Sequence, residues 1–97
     1  MSSENASIYN EFHNRANELF FSLEKAFRTA TENVNREEEE FRFQQLKKDY
    51  ANELKHELEM CAQKLMKKTR LHAATGHDLN DFIKDYLHRF VQKIDAF

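Results

Sequence analysis

Thr31-Glu32-Asn33-Val34-Asn35-Arg36-Glu37-Glu38-Glu39-Glu40-Phe41 decides whether this chain is a folded hairpin or one long rod. Between Val34 and Phe41 there is no apolar side chain, so any helical seam lapses here. Asn35 is a good N-cap, Glu38 stands at the capping-box position, and the acidic run suits the positive end of a helix dipole. The stretch therefore reads as a turn at 31–36 followed by a helix start. The rival reading is an unbroken helix over 7–74.

On both sides of this stretch the chain is written for helix. Its 97 residues contain no proline and a single glycine, Gly76. Proline breaks helices and glycine weakens them, so few positions interrupt one. Helix 1 is predicted over about 7–33, capped by Ser7. Its apolar residues Phe12, Ala16, Leu19, Leu23, Ala26, Ala30 and Val34 recur at near-heptad spacing. With Ile8, Tyr9, Phe20 and Phe27 they fill an arc of roughly 120°, wider than a two-helix seam requires. Phe21 lies outside it.

Helix 2 is predicted over about 36–74, with Phe43, Leu46, Tyr50, Leu54, Leu58, Cys61 and Leu65 as its stripe. Gly76 is expected to close helix 2 in the left-handed conformation, and Asp78 to cap a third helix over about 78–97. Helix 3 is cleanly amphipathic: Leu79, Ile83, Tyr86, Leu87, Phe90, Ile94 and Phe97 share one face, and Asp81, Asp85, His88, Gln92 and Asp95 the other. The fold expected is all-α, one domain: an antiparallel three-helix bundle, or coiled-coil-like hairpin, with a long central helix. Helices 1 and 3 are expected to overlap only near 54–61, leaving two-helix ends.

Net charge is -2, too close to neutral for a general nucleic-acid or membrane binder. The charge is segregated, however, with a balance of -4 over residues 1–45, +3 over 46–73 and -1 over 74–97. A single cysteine, Cys61, forbids an intrachain disulfide. The first residues carry neither the basic nor the apolar region of a signal peptide, and no apolar run reaches the roughly 20 residues of a membrane span. A cytoplasmic location is expected by elimination. The Asn5-Ala6-Ser7 sequon is read as chance.

Glu53 and His56 have the Glu-x-x-His spacing by which ferritin-like bundles hold iron, and Asp85 and His88 make a rough second copy. Core ligands must point inward, whereas at 100° per residue these side chains fall well off the apolar stripes. A di-iron bundle is thus the weakest reading, and neither a metal nor a cofactor is expected. Cys61, inside the stripe, reads as a small hydrophobe rather than a nucleophile. With no Gly-rich phosphate loop and no carboxylate pair in a predicted pocket, an enzyme is not expected.

What remains is surface. Phe20 and Phe27 in the wide arc, with Phe21, Phe41 and Met66 off the stripes, are the candidate partner interface, since aromatic and Met residues favour interfaces. Lys64, Lys67, Lys68 and Arg70 form a candidate basic patch, extended by Lys47, Lys48 and Lys55 into a line along helix 2. The function expected is a non-enzymatic protein-interaction module (an adaptor, chaperone or small subunit of an assembly) that works by helix packing and forms a homodimer. The alternative is a nucleic-acid-associated small subunit using the basic line.

Overall fold

The computed structural model describes residues 3–69 and 73–96, with side-chain surroundings for 7–67 and 76–96. Three helices are present among them: α1 (Ser3–Thr31), α2 (Glu40–Thr69) and α3 (Ala73–Asp95). All three pairs of helices touch, and the molecule measures 53 × 19 × 18 Å. No strand occurs among the described residues, and none of the helices is long and apolar enough to cross a membrane.

The chain does turn where the seam lapses. Thr31 Oγ1 donates back to the Phe27 carbonyl at 2.8 Å, and the Val34 amide donates to the Thr31 carbonyl at 3.1 Å, which close α1. Asn35 then organises the next turn. Its Oδ1 accepts from the amides of Glu37 and Glu38, at 3.0 and 3.3 Å. The reciprocal bond of the capping box comes from Glu39 rather than Glu38: its Oε2 accepts from the Asn35 amide at 3.3 Å. The Glu39 amide donates to the Asn35 carbonyl at 2.7 Å, so the capped turn feeds directly into α2.

The helix bounds differ from the sequence reading in four places. α2 begins at Glu40 rather than near 36, because the turn that Asn35 caps precedes it. Ser7 is inside α1, which begins at Ser3. α2 ends at Thr69 rather than near 74, because Ala73 already belongs to α3. Gly76 and Asp78 therefore lie within α3. Gly76 is helical rather than left-handed, and the missing side chain makes room for Met66 of α2, whose Cε would stand 2.9 Å from a Cβ there. Asp78 caps nothing; it accepts a hydrogen bond from the Tyr9 hydroxyl at 2.7 Å. Leu71, His72 and Phe97 lie outside the described residues.

A shorter α2 changes the architecture. Thirty residues span about 45 Å, against about 58 Å for the length expected. The flanking helices cannot then be spread along it end to end, and they lie side by side. Tyr9 meets Asp78, His13 meets Tyr86, Phe20 meets Phe90 and Glu24 meets Lys93, so α1 and α3 run parallel along a shared seam. Both are antiparallel to α2, and the expected two-helix ends are absent.

The core follows the predicted stripes in the main, but Ala26, placed on the helix 1 stripe, is exposed, and Ala62, off the helix 2 stripe, is buried. Phe12, Phe27, Leu54, Leu58, Leu79, Phe90 and Ile94 are fully buried, and burying each such side chain stabilises the fold by about 2–3 kcal/mol. Ile8, Ala16, Phe43, Ala62, Leu65, Ile83 and Tyr86 complete it. Phe27 is edge-on to both Phe43 and Tyr50, tying the lower half of α1 to α2. At the same end, Asp95 accepts from Arg36 at 3.0 Å and from Lys47 at 2.9 Å, fastening the end of α3 to the first connection and to α2.

Candidate functional site

The residues singled out from sequence separate sharply. Phe27 is 0% exposed and is a core residue, which removes it from the candidate interface. Its place 60° from the centre of the helix 1 stripe is within reach of α2, which fills the wide arc from one side while α3 fills it from the other. Met66 is half-buried between α2 and α3, beside Ala62, Gly76 and Ile83. Phe41 is 85% exposed at the start of α2. Phe21 is 63% exposed, and Phe20 beside it is half-buried, edge-on to both Phe21 and the buried Phe90.

The basic residues do not form one line. Lys47 is bound to Asp95. Lys64 lines a groove of about 370 Å³ between α1 and α2 that also holds Glu11, Glu18 and Glu57. At 100° per residue, Lys67 projects from the outer side of α2, about 60° round from Lys64. The Lys68 side chain and Arg70 lie outside the described residues. Cys61 is half-buried in the same α1–α2 groove. Burial raises its thiol pKa; Arg15 and Lys64 pull it part of the way back, and Glu11 adds to the rise. A thiol in this state is largely protonated at neutral pH.

Glu53, His56, Asp85 and His88 are all exposed, and Asp85 is held by Arg89 at 2.8 Å. Among the described residues no group of three or more His, Cys, Asp or Glu side chains comes together as a metal site.

The most developed surface is one that sequence spacing did not reveal: the seam where α1 and α3 run side by side. At its upper end His13 Nδ1 is 2.7 Å from the Tyr86 hydroxyl and its ring stacks, tilted, on Phe82 at 4.6 Å. Tyr9 stands edge-on to the same Phe82. Arg89 lies over the Tyr86 ring at 4.6 Å. Burial raises the Tyr86 pKa, an effect that Arg89 partly offsets.

Farther down the seam, Phe21 separates two shallow clefts. One, about 280 Å³, is lined by Asn17, Phe20, Tyr86, Arg89 and Lys93. The other, about 410 Å³, is lined by Glu24, Lys25, Arg28 and Lys93. Lys93 Nζ lies 5.9 Å from the ring centres of both Phe20 and Phe21. Its partner Glu24, at 3.2 Å, is buried and also faces Arg28 at 3.8 Å.

The seam thus combines a protruding aromatic ring, a hollow beside it, and long cationic side chains that can slide over either. His13, Glu24, Arg89 and Lys93 escaped the sequence reading because each sits on the flank of its own helix. Only the parallel pairing of α1 with α3 joins those flanks. Comparison with protein-family models, with curated proteins and with solved structures finds no match for this chain.

Proposed function

We propose that the chain is a non-enzymatic interaction module, an adaptor, chaperone or small subunit, that binds a helix of a protein partner along the α1–α3 seam. The observation that carries this reading is Phe21, which is 63% exposed and stands between two clefts. Covering what remains exposed of such a ring contributes about 1–2 kcal/mol to association. Interfaces draw most of their energy from a few aromatic or Arg anchors of this kind. Phe41 is more exposed but lines neither of these clefts, and single exposed apolar side chains are ordinary. The ionisable groups nearby that are withdrawn from solvent are occupied in holding helices together: half-buried His13 with Tyr86, and buried Glu24 with Lys93.

A photo-crosslinking amino acid at position 21, expressed in the source cell, tests this. Discrete protein adducts from position 21, and none from position 63 on the outer face of α2, are expected. Absence of adducts at 21 overturns the reading.

A further inference from the structure

We propose that Met66 is a modification site: its thioether is a peroxide-sensitive plug between α2 and α3, and conversion to the sulfoxide withdraws the plug and loosens that contact. The site lies apart from the α1–α3 seam, in a hollow formed by α2 and α3 alone.

The two methionines among the described residues are held differently. Met60 is 40% exposed, beside the α1–α2 groove. Met66 is half-buried and packs against the core. Its end occupies the space left by the chain's one glycine: a Cβ on Gly76 would stand 2.9 Å from the Met66 Cε and 3.6 Å from its Sδ. A side chain at 76 would have to displace the thioether, so the glycine and the methionine fit as a pair. The hollow around them, about 290 Å³, has two kinds of wall. Ala62 and Ile83 are buried and apolar, whereas Gln63 and Asn80 are exposed and bring amide groups to its rim.

Hydrogen peroxide entering this hollow meets a thioether lone pair. The sulfur attacks one peroxide oxygen, the O–O bond breaks, an S–O bond forms, and the other oxygen leaves as water after a proton shift. Sulfur is oxidised by two electrons and the peroxide is reduced by the same two. The product turns a flexible apolar side chain into a polar one. Against Ala62 and Ile83 its oxygen finds no side-chain donor, and burying an unpaired acceptor is unfavourable. Turned outward, the same oxygen meets water and the Gln63 and Asn80 amides. Oxidation therefore reverses the preference of the side chain. Met66 leaves Gly76, and the apolar wall behind it loses its cover.

The test is a hydrogen peroxide titration of the full chain, with oxidation at each methionine read by peptide mass mapping and stability read by thermal melting. Met60 is expected to oxidise first, with no change in melting temperature. Oxidation of Met66 is expected to lower the melting temperature by about 4 °C, and methionine sulfoxide reductase to restore it. M66L keeps an apolar side chain of similar volume and is expected to fold as the wild type does. It retains Met60 and Cys61, yet is expected to show no such fall. In G76A the new Cβ has already displaced the thioether. That variant is expected to oxidise at Met66 about threefold faster than wild type and to lose less than about 1 °C. A wild type fully oxidised at Met66 that melts within about 1 °C of the reduced protein overturns the proposal. So does an equal fall in M66L, a fall that the reductase does not reverse, or a G76A protein that oxidises at Met66 no faster and loses as much.

Discussion

His13 Nδ1 and the Tyr86 hydroxyl meet at 2.7 Å across 73 positions of sequence, joining the first helix to the last. The neutral imidazole can accept this proton, and Phe82 closes the ring from the side. Removing the hydroxyl leaves a part-buried nitrogen without its partner, which costs about 0.5–1.5 kcal/mol. Tyr86→Phe is expected to lower stability in urea by that amount. A double-mutant cycle with His13→Ala is expected to give a coupling of about 1 kcal/mol, and independence of the two substitutions would contradict the contact.

Asp95 fastens the other end of the molecule. The hydrogen bond from Lys47 first, then the charges of Lys47 and Arg36, hold its carboxyl below the ordinary aspartate value. Since the folded value is below the unfolded one, the stabilisation is complete above the ordinary value. It is lost as pH falls through the depressed folded value. Wild type should therefore melt above Asp95→Asn at neutral pH. The gap should close below about pH 4, and melts across the range measure it.

Gly76→Ala separates two accounts of the single glycine. A left-handed glycine closing a helix would lose about 1 kcal/mol on receiving a Cβ. Here Gly76 is helical, where alanine is favoured by about 0.8–1 kcal/mol. The new Cβ meets the end of the Met66 side chain, its terminal methyl at 2.9 Å and its sulfur at 3.6 Å, and that flexible side chain can swing aside at lower cost. Denaturation should show Gly76→Ala more stable by about 0.5 kcal/mol.

Phe27 and Phe41 are alike in the sequence and opposite in the fold. Phe27→Ala empties a fully buried site between Phe43 and Tyr50 and should cost about 3–5 kcal/mol. Phe41→Ala changes an exposed position and should stay within about 0.5 kcal/mol of wild type. Parallel urea titrations make the comparison.

The turn at Asn35 was legible because capping is a local matter. A short side chain that bonds the next amides, followed by acids at a dipole's positive end, is visible within five residues. Gly76 was misread for the converse reason. Its neighbours Thr75, His77 and Asp78 look like a turn, but Met66, ten residues earlier, occupies the space a side chain would need. The Phe27 error is similar: an 11-position arc shows that a face is wide, not which helix covers it.

Local chemistry in the sequence settled the class of the fold. Helix-compatible residues almost throughout, apolar side chains repeating at helical spacing, and one lapse of that repeat require helices joined by a turn and buried along one side. The tertiary structure decided which helix lies beside which. Placing α1 parallel to α3 brought together His13 and Tyr86, Glu24 and Lys93, and the hollows around Phe21. Those contacts depend on the length of α2 and on the rotation of each helix about its axis. Both are fixed by how the whole set of side chains fills one core, which no short window of sequence contains.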